Sequence, residues 1–392
     1  MKKKILFVIN SLGCGGAEKS LVSLLTTIDK TKYDIDLQMF RVEGMFLNLL
    51  PAEINILPEI EFLMSSTWSL AKQLKKPKYL YARVRASIGL RQNWKKRKLH
   101  DAQCYWKYTH NAFNMCARNY DVAIAWGQGN PTHYVAEKVN AKKKIAFINV
   151  NYEAAGHNKE FDCTFYRKYD YIASVSEELT QLTCTVFPEF ESKINTIYDI
   201  NNGKMIEQMA LLDNPFEQDE HLLKIVTVGR LVQQKGYDLA TKACKVLREC
   251  GVNFKWYVVG EGPERVNIER DIERYGIADY MFLVGAKDNP YVYMKNADIY
   301  VQTSRFEGYC LTLAEARILN IPVVSTNFDV VYNQLRDEEN GLIVEQTGEA
   351  IANGIMRIVT DTILRERITE NLQKEKKGNA EEIEKLYELL EE

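Results

Sequence analysis

The sequence predicts an α/β protein built from two Rossmann-like domains facing a central cleft. Three observations carry that prediction. A chain of 392 residues is too long for one core and suits two, since domains run about 100–200 residues. Hydrophobic residues make up 46%, charged residues 27% and aromatics 11%, the composition of an ordered globular chain. Short β-branched or aromatic runs then alternate with longer amphipathic stretches from end to end, the pattern of parallel sheets covered by helices on both faces.

In the first half, Ile5–Ile9, Ile35–Phe40, Val122–Ala125, Ile145–Val150, Tyr171–Val175 and Ile194–Tyr198 read as strands bounded by turn residues. The segment Glu18–Ile28 places Leu21, Leu24, Leu25 and Ile28 on one helical face. Asp213, Asn214 and Pro215, followed by acids, mark 210–222 as a linker. The alternation then restarts. Strands are expected at Ile225–Val228, Phe254–Val259, Met281–Val284, Ile299–Thr303, Val323–Ser325 and Leu342–Val344, with helices such as Leu239–Glu249 and Leu311–Leu319 between them. The domains expected are 1–205, with a final helix at about 370–392 packing back on it, and 206–369. Ligands should bind at the carboxyl ends of the strands.

Several function classes are excluded. The formal net charge is −2, whereas a domain devoted to nucleic acid is strongly basic. No run approaches the roughly 18 apolar residues of a membrane-spanning helix. Met1 and three lysines before Ile5–Ile9 imitate a signal peptide, but that apolar run falls short of the about 7–15 residues a secretory core needs. Cys14, Cys104, Cys116, Cys163, Cys184, Cys244, Cys250 and Cys310 form no C-x-x-C pair and no metal spacing with the five histidines, so reduced thiols in a cytoplasmic protein are expected. Asp34 and Asp36 imitate a metal-binding Asp-x-Asp, but period-two alternation inside a strand points both to one solvent-facing side. No metal is expected.

One segment breaks the charge balance. Lys72–Lys107 holds twelve Lys or Arg residues and a single acid, Asp101, a net of +11 in 36 residues, interleaved with Tyr79, Tyr81, Trp94, Tyr105 and Trp106. It reads as a solvated helical face or as an amphipathic surface for anionic lipid headgroups, with nucleic acid a weaker alternative.

Three places carry chemistry. Gly13, Gly15 and Gly16 lie where the first strand turns into a helix, either a tight turn or a loop whose amides approach a phosphate. The G-x-G-x-x-G spacing is absent from both halves, which disfavours a dinucleotide dehydrogenase. In the second half, Val228-Gly229-Arg230 is followed by Lys235-Gly236. This sets two cations five residues apart at a strand end, where a planar guanidinium fork and a point charge suit a diphosphate, though unrelated surface cations would look the same. Third, Glu307 precedes Gly308, Tyr309, Cys310 and Leu311, and Glu315 follows a little over one turn into the next helix. Both carboxylates can then face one cleft, and the amides of Tyr309, Cys310 and Leu311 can meet a phosphate.

Taken as an ordered set with Val259-Gly260-Glu261-Gly262-Pro263, these motifs resemble the retaining glycosyltransferases of family four, which have the GT-B fold. The resemblance spans the chain and is strongest over 224–345. It implies that Arg230 and Lys235 hold a donor diphosphate, that Glu307 contacts the transferred sugar and Glu315 the ribose hydroxyls. It also implies that Gly15 and Gly16 close over the phosphate, and that 284–287, with Gly285, frames the base. Many family members carry a histidine where this chain has Asn149, which can donate a hydrogen bond but is neither acid nor base. His133 and His157 lie nearby, as substitutes or as packing residues. In a retaining front-face mechanism the leaving phosphate itself takes the acceptor proton.

The function expected is hexose transfer from a nucleotide diphosphate-sugar, expected to be a UDP-sugar, to a glycan or lipid-linked acceptor of a surface polysaccharide or capsule. The protein should be cytoplasmic or peripheral on the inner membrane face. The alternatives are a nucleotide-sugar epimerase of the same architecture and a catalytically weak nucleotide- or glycan-binding protein.

Overall fold

The computed structural model describes residues 2–13, 15–96, 98–216 and 221–391; Cys14, Arg97 and the acidic stretch 217–220 lie outside them. The chain forms two units, one of residues 1–199 with 381–392 and one of 200–380. In chain order the strands are β1 (Lys3–Ile9), β2 (Tyr33–Met39), β3 (Asn55–Ile56), β4 (Asn119–Trp126), β5 (Asn140–Ile148), β6 (Tyr171–Ser174) and β7 (Ile194–Thr196) in the first unit. The second unit holds β8 (Leu223–Val228), β9 (Phe254–Val259), β10 (Met281–Gly285), β11 (Ile299–Gln302), β12 (Val323–Thr326) and β13 (Leu342–Val344).

The first sheet runs β3-β2-β1-β4-β5-β6-β7 and the second β10-β9-β8-β11-β12-β13. Every strand pair within them is parallel. The second sheet thus has the doubly wound order 3-2-1-4-5-6, as its second half sets off from β11 in the direction opposite to its first. Two-sided burial explains the apolar runs. Ile225, Trp256, Val258, Ile299 and Val301 enter one core cluster, while Val226, Val228, Tyr257, Val259 and Tyr300 enter the other. Successive side chains of a strand point to opposite faces, and here helices cover both.

All twelve strands read from the sequence are present, with ends moved by a few residues. The short edge strand β3 was not expected, because two residues carry no alternation. The unit boundary falls at Asp199/Ile200 rather than at 205/206 or inside 210–222. The helix Gly203–Ala210 buries Ile206 and Ala210 in the second unit's core, which draws the chain into that unit early. Residues 370–380 also belong to the second unit.

Only the last helix, Ile383–Glu391, returns to the first unit. Ile383, Leu386, Leu389 and Leu390 are buried there, Tyr387 stacks on Tyr33 with ring centroids 5.6 Å apart, and Lys3 meets Glu391 at 2.7 Å. Asp36 departs from the solvent-facing position expected of it. It is buried and bound by the Arg118 guanidinium at 2.8 Å and the Tyr120 hydroxyl at 2.6 Å. Among the described residues no helix is long and apolar enough to cross a membrane.

Candidate functional site

The topological switch of the second sheet lies between β8 and β11, and in such sheets the crevice beyond the strand ends is the natural ligand site. The loop after β8 carries Gly229, Arg230 and Lys235; the loop after β11 carries Glu307. Backbone bonds stitch the strand ends together. The Gly229 amide donates to Val259 O, the Gly260 amide to Gly285 O and the Leu231 amide to Glu261 O, each at 3.0 Å. This approach demands glycines. A Cβ on Gly260 would lie 1.9 Å from Gly229 O, and one on Gly236, at φ 64°, would lie 2.1 Å from Thr303 O. Gly285, at φ 78°, ends β10 at a register shift on the same side of the sheet.

Lys235 Nζ lies 2.6 Å from Glu307 Oε1, with both side chains largely buried. Burial opposes the ammonium charge, but Glu307 more than offsets it and holds the Lys235 pKa above its usual value. The same Glu307 oxygen accepts from the Ser304 hydroxyl and from Gln302 Nε2 at 3.3 Å, and Gln302 is fixed in turn by the Tyr300 hydroxyl at 2.6 Å. The loop is braced by Arg305, whose Nη2 donates to both Asp238 oxygens at 2.9 Å, and by the Thr303 hydroxyl on Lys235 O at 2.7 Å. Arg230, by contrast, is exposed and meets no carboxylate among the described residues. One cation is therefore held in place by the acid, and a second stands available to an anion.

Beyond Gly308 and Tyr309 the chain enters the helix Leu311–Ile318 through Cys310, which sits in the left-handed region at φ 67°. A side chain in that conformation is strained, and such residues gather at ligand sites. Burial pushes the Cys310 thiol up to about 12. Gln334 Nε2 donates to Tyr309 O and so clamps the helix start. Glu315 is fully buried, and the Tyr291 hydroxyl donates to its Oε1 at 3.0 Å. Burial and that carboxylate raise the Tyr291 pKa well above the usual tyrosine value, which keeps the phenol a donor.

In the first unit, Gly15 caps the helix Gly16–Thr27 at φ −87°, an extended conformation open to any residue. A Cβ there would meet only the Glu18 carboxylate, 2.2 Å away at Oε2, which a flexible side chain can move aside. Asn149 follows β5. Both its side-chain polar atoms are buried and lack a hydrogen-bond partner, while its amide donates to Gln128 Oε1 at 3.1 Å. Buried polar groups are nearly always paired, and among the described residues the two side-chain atoms of Asn149 are not. The loop behind it is rigid. Tyr152 donates to Asp162 Oδ2, His157 Nδ1 lies 3.5 Å from the same oxygen, and His133 Nε2 lies 2.7 Å from Oδ1. His133 and His157 are thus packing residues around one buried acid. Their partners keep the Asp162 pKa below the usual carboxylate range despite burial.

The sequence reading missed Gln302, Ser304, Tyr291 and Gln234, whose Nε2 donates to Phe306 O at 2.8 Å and lies 3.4 Å from Glu307 Oε2. For Gln302 and Ser304 the signal existed, because they are polar residues at the end of a strand buried on both faces. Among the described residues no three His, Cys, Asp or Glu side chains gather as a metal ligand set.

A doubly wound sheet with a largely buried Lys–Glu pair, an Arg that meets no carboxylate among the described residues and a strained helix start at its switch point defines an α/β protein whose second unit gathers charged side chains at its strand ends. Residues 211–375 match the family described as glycosyl transferases group 1, so the chain carries a domain of that family. It is 29% identical over 237 residues to the capsular polysaccharide biosynthesis glycosyltransferase CapM of Staphylococcus aureus, covering 55% of this chain and 60% of CapM. It is 24% identical over 93% of its length to an N-acetylgalactosaminyltransferase of Campylobacter jejuni that acts on a diphospho-undecaprenol-linked sugar, covering 92% of that protein. The crystal structure of Anabaena HepE in complex with UDP-glucose matches with a TM-score of 0.67 at 16% identity, over 95% of this chain and 93% of that one. At that identity the likeness shows the GT-B fold alone. The chain spans 60%, 48% and 34% of the lengths of CapM and two other relatives.

Proposed function

We propose that the protein is a retaining, metal-independent glycosyltransferase of surface polysaccharide synthesis, acting in the cytoplasm. It moves a hexose from a UDP-sugar to a hydroxyl of a glycan or lipid-linked acceptor. The observation that carries this reading is the Lys235–Glu307 contact at 2.6 Å, with Arg230 in the same loop meeting no carboxylate among the described residues. In the step proposed, the bond from the sugar C1 to the diphosphate oxygen breaks and its electron pair stays on that oxygen. The acceptor oxygen bonds C1 from the same face, and its proton passes to the leaving phosphate. Arg230 and Lys235 stabilise the charge as it develops, usually the largest single contribution to such catalysis. Glu307 orients the sugar, Glu315 the ribose, and the Tyr309, Cys310 and Leu311 amides the phosphate. Gly285 borders the base, Gly15 and Gly16 border the donor phosphates, and Asn149 bonds a sugar hydroxyl. The relatives named for capsule and lipid-linked glycan synthesis support the acceptor class, and HepE bound to UDP-glucose supports the donor.

The test is release of UDP from a panel of UDP-hexoses, with and without glycan and undecaprenyl-diphosphate-sugar acceptors, in the presence of EDTA. Acceptor-dependent release with retention of the anomeric configuration is expected. Donor interconversion without acceptor would favour the epimerase. Thermal shifts with UDP, GDP and ADP report binding separately, because a ligand at about 100 times its Kd stabilises by roughly 2.7 kcal/mol. A shift with UDP and no turnover would favour a binding protein, the reading that Asn149 in place of the family's histidine supports.

A further inference from the structure

The basic segment of the first unit folds as a helical hairpin whose outer face is apolar. Its helices are Pro77–Lys96 and Asp101–Thr109. They lie so close that a Cβ on Gly89 would stand 2.0 Å from the Tyr108 ring. Tyr79, Ala82, Ala86 and Gly89 form the buried side of the long helix, and Phe62 packs edge-on against Tyr79. The opposite side exposes Leu80, Tyr81, Val84 and Ile88 at helical spacing, with Trp94 76% exposed. Soluble helices put charged residues on such a face. Among the cations with described side chains only Arg91, three residues beyond Ile88, continues that stripe, and only Lys76 meets a carboxylate, Glu61 at 2.8 Å. Arg85 lies over the Tyr81 and Tyr108 rings.

We propose that this hairpin lies in the plane of an anionic lipid bilayer. Leu80, Tyr81, Val84, Ile88 and Trp94 enter the acyl boundary, while Lys75, Lys78, Arg85, Arg91 and Lys98 meet the headgroups. Charge complementarity selects this occupant. The segment carries +11 in 36 residues in a chain of net −2, so the attraction is local and orients the molecule. A second copy docked face to face would oppose like charges across a symmetric interface. A nucleic acid would use the cations and aromatic rings but offers nothing for exposed Leu80, Val84 and Ile88. The hairpin lies outside the residues assigned to sugar transfer, so the proposal stands whether or not that reading holds.

The experiment is flotation of the full chain with vesicles of phosphatidylglycerol and phosphatidylcholine, against phosphatidylcholine alone. Binding is expected only to the anionic vesicles. It should weaken as salt rises to about 1 M, where the screening length falls to about 3 Å. The variant R85E/R91E, which lowers the charge by four units, should lose binding, and each unit of positive charge removed should cost about fivefold in partitioning. L80N/V84N/I88N should keep the fold, checked by circular dichroism, and bind at least tenfold more weakly even at low salt. Retained binding in that triple variant would overturn the inserted face. Equal binding to neutral vesicles, or no vesicle binding together with binding to single-stranded nucleic acid or concentration-dependent dimerisation, would overturn the proposal.

Discussion

Lys235 Nζ and Glu307 Oε1 lie 2.6 Å apart, and both side chains are largely buried. The acid and the cation therefore act as one unit, and variants of the two should differ. In Glu307→Gln the neutral amide keeps the volume and frees Lys235 for phosphate. Nucleotide affinity should hold or tighten while turnover falls at least about 10³-fold. Lys235→Ala strands a buried carboxylate, which costs about 3 kcal/mol of stability, along with about 10²-fold or more in turnover. Calorimetric titration of UDP beside steady-state rates separates the two; equal loss of nucleotide binding in both would refute the division of roles.

Arg230 offers the opposite combination. Exposed and without a carboxylate partner among the described residues, it contributes little to folding. Arg230→Ala should leave Tm within about 2 °C, since surface substitutions fall within about 0.5 kcal/mol. Turnover should still drop about 10²-fold, as when one charge-stabilising donor is removed. A large Tm loss would place Arg230 in the structure rather than in the chemistry.

Gly236 and Gly251 share a left-handed φ, 64° and 73°, but only Gly236 is crowded, 2.1 Å from Thr303 O against nothing within 4 Å at Gly251. Alanine at Gly251 should cost about 1 kcal/mol, the conformational penalty alone. Alanine at Gly236 must also push the β8 and β11 loops apart, and should cost about 2–4 kcal/mol and most of the activity. Urea unfolding of both variants checks this, and equal losses would mean that the loops are not closely packed.

The strand order and the Arg230, Lys235 and Glu307 loops were legible because two-sided burial writes itself as short apolar runs, and breaks in those runs mark the strand ends. The Lys235–Glu307 pairing was not, since its partners are far apart in sequence and only the β8–β11 adjacency joins them. Burial of Glu315 with Tyr291 was hidden for the same reason. Asp36 misled because alternation tells which face a side chain takes, not whether Arg118 and Tyr120 will cover it. The boundary at Asp199 was obscured by the polar stretch after Ala210, which resembles a linker more than the true junction does.

Asp199 gives a stability test with a defined sign. Burial raises its pKa from 3.8 to about 7, with the nearby Ser20 hydroxyl opposing the rise. The folded state then holds a proton that the unfolded state releases between those values. Stability falls as pH rises through that window and stays lower above it. Asp199→Asn removes the penalty. It should be near neutral at pH 4 and stabilising at pH 8, by on the order of 4 kcal/mol at most. Equal effects at both pH values in denaturant titrations would show that Asp199 ionises normally.

Asn149 separates a binding residue from a structural one more sharply than any other position. Its side-chain oxygen and nitrogen are buried and unpartnered, a state that costs about 1–3 kcal/mol relative to pairing. Asn149→Ala removes both orphaned atoms and no hydrogen bond, because it is the Asn149 backbone amide that donates to Gln128 Oε1. Tm should therefore hold or rise, while kcat/KM falls about 10-fold or more through the lost contact with a substrate hydroxyl. Asn149→Asp, isosteric but without the donor, divides the contact further. If a sugar oxygen accepts from Nδ2, the Asp variant should be as impaired as Ala; if a sugar hydroxyl donates to Oδ1, it should retain activity. Unchanged turnover in both variants with a lowered Tm would make Asn149 a packing residue and remove it from the site.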